Sequence, residues 1–289
     1  MMNVIIDKDA GFCFGVRNSI SVAEELVAKG ENIKCLGQIV HNDKEVSRLR
    51  ALGVEFVSFE EYKNLKNETV LLRAHGEIPE TYEIAKQNNL KIIDTTCPIV
   101  SSLQKKVLCS WEELSERGGQ IVIYGQKEHP EVKGLKAQAG GEAIIVNDIN
   151  EIFKIDFTKD IHLFSQTTKN KKSFENIIRS IKIEADKNSV QLYSNSSICR
   201  QVVNREVSII NMAKTNDVVI FVAGKNSSNG KTLFEICKSV NEKSHYISSV
   251  DELETNWFKG IDNVVVTGST SSPLWLLEDI KEEILRICI

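Results

Sequence analysis

No stretch of eighteen consecutive apolar residues occurs in this 289-residue chain, so no helix is expected to span a membrane. No Cys-x-x-Cys pair occurs either, which removes local support for a zinc ribbon or a thioredoxin-type site. Basic residues hold no majority: 36 Lys and Arg stand against 40 Asp and Glu, a formal net charge of −4. Broad nucleic-acid binding, which needs a basic face, is therefore not expected. The opening run Met1-Met2-Asn3-Val4-Ile5-Ile6-Asp7 lacks the basic region and long apolar stretch of a signal peptide, and a cytoplasmic location is the expectation. No flavin or pyridine-nucleotide fingerprint is visible. What is there is ordinary for a globular protein, 42% hydrophobic and 26% charged residues, enough apolar material for a sizeable core. The length suits two domains or three small ones.

Cysteine is more informative. Seven stand at positions 13, 35, 97, 109, 199, 237 and 288. The number is odd, the chain is long for a disulfide-stapled scaffold, and reducing compartments keep thiols free. Taken singly, each cysteine reads as a small buried hydrophobe.

A threefold repeat changes that reading for three of them. Val4-Ile5-Ile6 leads to Cys13, Lys91-Ile92-Ile93 to Cys97, and Val190-Gln191-Leu192-Tyr193 to Cys199. A helical apolar stripe follows each: Val16, Ile20, Ala23 and Val27; Val100, Leu103, Val107, Trp111 and Leu114; Val203, Val207, Ile210 and Ala213. Gly30 and Gly118-Gly119 suit the ends of the first two helices. A second strand then runs into a polar loop at Gln38–Asn42, Gln126–Glu131 and Lys225–Asn229. A last strand runs into Arg73-Ala74-His75-Gly76, Ser165-Gln166-Thr167-Thr168 and Gly268-Ser269-Thr270-Ser271-Ser272. Alternating strands and helices predict an α/β fold of three pseudo-symmetric units with mostly parallel sheets, over residues 1–90, 91–188 and 189–289. In such sheets ligands collect at the carboxyl ends of the strands, where all these loops lie.

The overlay makes Cys13, Cys97 and Cys199 equivalent, each at an expected helix N-terminus, and Pro98 suits a first helical position. The positive end of a helix stabilises the thiolate form that binds metal. Three thiolates without a fourth partner suit zinc with an open position or a cluster with one bare iron. Cysteines far apart in sequence, one per unit, fit the cubane cluster better, and the three units are expected to surround it. The overlay also aligns His41, His129 and Ser228 in one loop, and His75, Thr167 and Ser271 in another. That ring is rich in neutral donors and short of Lys and Arg, which suits a small phosphorylated ligand held by imidazole, hydroxyl and amide groups. Glu131 follows a His-Pro turn, and a buried carboxylate there can relay protons. His162 and His245 lie outside the pattern and read as structural.

Together the motifs resemble one family across essentially the whole chain. They are Ala10–Val16, Ile39-Val40-His41-Asn42, Arg73-Ala74-His75-Gly76, Asp94-Thr95-Thr96-Cys97-Pro98, His129-Pro130-Glu131-Val132, Gln166-Thr167-Thr168, Ile198-Cys199, Lys225–Asn229 and Ser271-Ser272-Pro273. The resemblance is to the 4-hydroxy-3-methylbut-2-enyl diphosphate reductases, iron–sulfur oxidoreductases that close the methylerythritol phosphate route of isoprene biosynthesis. It implies one [4Fe–4S] cluster per chain on Cys13, Cys97 and Cys199. It also implies diphosphate binding by His41, His75, His129, Ser227, Ser228, Asn229 and Ser271. Glu131, Thr167 and His129 become the catalytic set, with Glu131 and Thr167 organising the substrate hydroxyl and delivering protons. The implied reaction is reductive dehydration of the allylic diphosphate to isopentenyl and dimethylallyl diphosphates. The implied electron donor is ferredoxin or flavodoxin, with no nucleic-acid or membrane partner.

Four positions depart from the family pattern. Val202 stands in Arg200-Gln201-Val202-Val203-Asn204-Arg205 where a Thr is usual, Ser269 where Gly is common, Leu274 where an acid is common, and Glu77 where an apolar residue is common. Two other readings stand beside this one. A quinolinate-synthase-type three-cysteine lyase does not account for His129-Pro130-Glu131 or for Asn226-Ser227-Ser228-Asn229. A non-catalytic iron–sulfur sensor paralogue would be expected to carry a nucleic-acid-binding element, and none is visible.

Overall fold

The computed structural model describes residues 2–288. The chain forms two compact units: unit 1 comprises 1–33, 38–56 and 200–289, and unit 2 comprises 34–37 and 57–199. Three four-stranded sheets are built from the following elements. The chain opens with β1 (Asn3–Ile6), α1 (Phe14–Ala28), β2 (Ile33–Leu36), α2 (Asp43–Leu52), β3 (Glu55–Val57), the single turn α3 (Phe59–Tyr62), β4 (Thr69–Leu72) and α4 (Pro79–Gln87). It continues through β5 (Lys91–Asp94), α5 (Pro98–Arg117), β6 (Gln120–Tyr124), α6 (Pro130–Gln138), β7 (Ile144–Val146), β8 (Ile161–Ser165), α7 (Lys171–Lys187) and β9 (Leu192–Ser194). The last part holds α8 (Arg200–Thr215), β10 (Val218–Val222), α9 (Ser228–Val240), β11 (Ser244–Ile247), β12 (Asn263–Gly268) and α10 (Leu274–Ile287).

The sheet orders are β3-β2-β4-β5, β7-β6-β8-β9 and β11-β10-β12-β1. Numbered within each repeat, all three read second, first, third, fourth. The α/β architecture of three pseudo-symmetric units is thus present in the strand order itself. The fourth strand is in each case the one that leads into Cys97, Cys199 or Cys13, so every such strand is the edge of the sheet that precedes its cysteine helix. Parallel pairing is regular, for instance Val4 with Val264, Val218 with Val264, Val122 with Leu163, and Val70 with Ile92.

The two central strands β6 and β10 are buried at every residue, as expected of parallel strands covered on both faces. Side chains of a strand alternate between faces. In unit 1, Val218, Ile220 and Val222 pack with Leu276, Leu277, Ile280 and Ile284 of α10. The opposite face sends Val219 and Phe221 against Ile209 and Ala213 of α8 and Leu233 of α9. Unit 2 repeats the scheme: Val122 and Tyr124 meet Phe174, Ile177 and Ile181 of α7, while Ile121 and Ile123 meet Leu103 and Val107 of α5 and Leu135 of α6. Each such side chain contributes roughly 1.5–3 kcal/mol by leaving water. The result is a pair of rigid supports whose strand ends carry the loops of interest.

One helix face differs from expectation. The apolar spacing in α8 pointed to Val203, Val207, Ile210 and Ala213, yet the buried residues are Val202, Arg205, Ile209 and Ala213, and Val207 is 57% exposed. The reason is electrostatic. Arg205 is buried because its guanidinium donates from Nη1 to Asp7 Oδ2 at 2.5 Å, from Nη2 to Thr267 Oγ1 at 2.6 Å, and from Nε to the Gly268 carbonyl at 3.1 Å. A hydrophobic period cannot register a buried ion pair, so the helix turns to bury the arginine.

Candidate active site

Each of the three repeats ties its cysteine in the same way. Cys13 N–H donates to the Thr270 carbonyl at 3.1 Å, Cys97 N–H to the Ala74 carbonyl at 3.1 Å, and Cys199 N–H to the Thr167 carbonyl at 2.8 Å. In every case the acceptor stands two residues beyond the end of the third strand of its sheet. Cys13 and Cys97 occupy the cap positions of α1 and α5, and Cys199 directly precedes α8. All three are half-buried, whereas Cys35 and Cys237 are buried and Cys109 and Cys288 are exposed. Burial pushes the Cys35 thiol up to about 12 and raises Cys237 as well, which keeps both inert. A cysteine thiol at the start of each of three helices is the kind of donor that an iron–sulfur cluster requires.

In unit 2 the predicted residues form one connected group. His129 caps α6, and its Nδ1 accepts from the Glu131 backbone N–H at 3.2 Å, while Pro130 supplies the fixed φ of a first helical residue. The rings of His75 and His129 meet edge to face with centroids 5.5 Å apart. Glu131, only 2% exposed, accepts from Thr167 N–H at 2.6 Å and from Thr167 Oγ1 at 2.8 Å. Burial pushes the Glu131 carboxyl up to about 7, and the two Thr167 bonds, which favour the carboxylate, offset only part of that. A buried acid poised near neutrality, in contact with a hydroxyl that can both accept and donate, is suited to passing protons. The Thr167 carbonyl in turn receives Cys199 N–H. His75, His129, Glu131, Thr167 and Cys199 are therefore linked side by side within this unit, and Cys97 is tied to the residue before His75.

In unit 1 the predicted residues gather around the ends of β10 and β12. Ser227 caps α9 by accepting from Gly230 N–H at 3.0 Å, and its Oγ lies 3.2 Å from Ser271 Oγ. Ser271 Oγ lies 2.8 Å from Ser269 Oγ, and Ser272 donates its own hydroxyl to the Val222 carbonyl at 2.5 Å. Asn229 donates from Nδ2 to Thr270 Oγ1 at 2.9 Å, while its Oδ1 is buried with no hydrogen-bond partner among the described residues. Ser228 opens α9, half-buried. His41 precedes Asn42, which caps α2 by accepting from Glu45 N–H. Its backbone lies against the end of β10, where a Cβ on Gly224 would come within 2.2 Å of the His41 carbonyl oxygen. Only glycine fits that approach.

The hydrogen bonds correct the alignment of the loops by one residue. An overlay by polarity matches His75, Thr167 and Ser271. The carbonyls that receive the cysteine N–H groups match Ala74, Thr167 and Thr270. Helix starts shift the other loop likewise: His129 and Ser227 are both the cap residues of their helices, so Ser227 and not Ser228 corresponds to His129, and Asn229 corresponds to Glu131. Polarity marks the residues that seek partners, while the strand and helix ends set their positions. Sequence reasoning also passed over Thr270, Asp7 and Arg205. Their only signal was a position beside motifs already chosen. His162 and His245 stand apart, the first tilted against Tyr193 and the second stacked on Trp257.

Comparison with known proteins gives the chain a family. A model of the LytB protein family matches residues 4–285. A protein of Bacteroides thetaiotaomicron named 4-hydroxy-3-methylbut-2-enyl diphosphate reductase is 47% identical over 284 residues, covering 98% of both chains. One of the same name from Bacteroides fragilis is 49% identical over 286 residues, with 98% of each chain covered. Among solved structures, an (E)-4-hydroxy-3-methyl-but-2-enyl diphosphate reductase superposes with a TM-score of 0.72 at 33% identity, covering 99% of this chain and 100% of the other. The reductase of Plasmodium falciparum superposes with a TM-score of 0.85 at 25% identity, covering 97% and 87%. With a family model spanning nearly its whole length and full-length relatives near half identity, this chain belongs to the LytB family and is an oxidoreductase.

Proposed function

We propose that this enzyme reductively dehydrates 4-hydroxy-3-methylbut-2-enyl diphosphate, consuming two electrons and two protons, to give water with isopentenyl and dimethylallyl diphosphates. The observation that carries the reading is the Glu131–Thr167 pair: a buried carboxyl near neutrality, bonded to a hydroxyl at 2.8 Å, on the loop that also holds Cys199. Cys13, Cys97 and Cys199 would hold a [4Fe–4S] cluster, one from each of the repeats 1–90, 91–188 and 189–289. Bound there, the cluster supplies electrons and a Lewis-acidic iron for the substrate hydroxyl.

The protein's own residues do the rest. Glu131 in its neutral form donates its proton to Thr167 Oγ1, and the Thr167 hydroxyl passes its own proton to the substrate hydroxyl, so that the group leaves as water. The second proton goes to carbon, at one end of the allylic unit for isopentenyl and at the other for dimethylallyl diphosphate, and reprotonation of Glu131 from solvent returns the pair to its starting state. His129, fixed by Glu131 N–H on Nδ1, and His75 beside it offer imidazole donors to the diphosphate. His41, Ser227, Ser228, Asn229 and Ser271 complete that set with neutral donors. Neutral donors bind the anion without the strong field of a lysine or arginine clamp, which would favour the Glu131 carboxylate and lower its readiness to protonate. Ferredoxin or flavodoxin serves as electron donor, consistent with the absence of a nucleotide fingerprint in the sequence, and we place the enzyme in the cytoplasm. No helix among the described residues is long and apolar enough to cross a membrane.

The test is anaerobic reconstitution with iron and sulfide, followed by assay with the hydroxylated diphosphate and a strong chemical reductant. Both five-carbon diphosphates are expected. A fully loaded cluster with no formation of either product would reject the proposal.

A further inference from the structure

We infer that Thr270 is a positioning residue that orients the Asn229 carboxamide toward the diphosphate, as the pseudo-symmetric counterpart of Thr167 acting on Glu131; this rests on the diphosphate reading above. Two independent alignments make the pairs equivalent. Thr167 and Thr270 each stand two residues past the third strand of their sheet, and each offers its carbonyl to the backbone N–H of a cysteine, Cys199 at 2.8 Å and Cys13 at 3.1 Å. Glu131 and Asn229 are each the second residue of the helix that follows the first strand. Across each pair the threonine hydroxyl meets the neighbouring side chain, at 2.8 Å to Glu131 Oε2 and at 2.9 Å to Asn229 Nδ2. The remaining repeat has Ala74 at the same place and carries no hydroxyl.

The chemistry decides which end of the amide faces the ligand. With Nδ2 bonded to Thr270, Asn229 leaves Oδ1 buried and without a partner among the described residues, on a side chain 7% exposed. An unpaired buried acceptor is costly, and a diphosphate, itself an acceptor at every oxygen, cannot relieve it. Rotating the carboxamide by half a turn keeps the contact to Thr270, now with the hydroxyl donating to Oδ1. That places the NH2 group, with two donors, where the orphaned oxygen stood. Thr167 already donates to a side-chain oxygen in this way. Thr270 therefore holds the carboxamide in either orientation, so that an anion can draw out the one that presents NH2, and it does so from the residue that also anchors Cys13.

The experiment is isothermal titration of the cluster-loaded enzyme with inorganic diphosphate, under anaerobic conditions, for wild type, Thr270→Val and Thr270→Ser. Valine keeps the shape and the backbone bond to Cys13 but removes the hydroxyl. Its Kd is expected to rise five- to tenfold, the effect of about one hydrogen bond. Serine is expected to bind within twofold of wild type, and the cluster absorption spectrum should be the same in all three. In turnover the valine variant should raise KM while kcat stays near wild type. Wild-type binding with an unchanged Kd for Thr270→Val would overturn the inference alone. A loss in Thr270→Val that serine does not rescue, or one accompanied by an altered cluster spectrum, would also overturn it, since the hydroxyl would not then be the cause. Absence of diphosphate binding by wild type would overturn the reading on which the inference rests, and the inference with it.

Discussion

Glu131→Gln separates the two things that the Glu131 carboxyl does. The amide fits the same space: its oxygen still accepts from Thr167 N–H, and its NH2 donates to Thr167 Oγ1 in place of the bond that Oε2 accepts. What is lost is the transferable proton, and general acid catalysis of this kind is worth about 10²–10⁴ in rate. The substitution also removes a buried charge. Burial raises the Glu131 carboxyl from its ordinary value of 4.5 to about 7. The folded protein therefore binds more protons than the unfolded chain between those values, so stability is full below about 4.5 and falls as pH rises toward 7. Each tenfold change in proton affinity is 1.36 kcal/mol, so wild type should lose about 2–3 kcal/mol relative to Glu131→Gln between pH 5 and 8. Urea midpoints of both proteins at the two pH values give the stability difference, and single-turnover assay with reduced enzyme gives the rate. The reasoning fails if the variant turns over within twofold of wild type with its cluster intact. It fails equally if the stability difference is flat across that pH range, because the carboxyl would then not be neutral in the folded protein at pH 5.

Two further outcomes follow from the geometry. Arg205→Met strands the Asp7 charge and the Gly268 carbonyl in the interior of unit 1, and breaking a buried ion pair from one side costs about 3–5 kcal/mol. The double variant Asp7→Leu/Arg205→Met should recover most of this in a urea-unfolding comparison, and a double variant no more stable than the single would show that shape rather than charge is at stake. Serine at position 13, 97 or 199 should each abolish the visible absorption of the reconstituted cluster. Serine at 109 or 288, both exposed, should leave that absorption unchanged, and a full band from any of the first three would remove that cysteine from the ligand set.

The sequence by itself determined the architecture and the choice of chemical groups. Strand runs such as Val218–Val222 and the stripes on α1 and α5 obey local spacing rules, and repetition of the same order three times singled out Cys13, Cys97 and Cys199 from seven candidates. His129-Pro130-Glu131 was legible because a capping residue, a fixed φ and a first-turn acid act within one helical turn. Tertiary structure decided everything that depends on which strand end stands beside which helix start. Only there does Glu131 meet Thr167 across 36 residues, Arg205 meet Asp7 across 198, and Asn229 meet Thr270 across 41. Burial of charge and the direction of a hydroxyl leave no periodic trace in a chain, because both are set by partners distant in sequence. The one-residue correction of the loops has the same origin: polarity says which residues seek donors, while backbone hydrogen bonds at the sheet edge say which of them share a place.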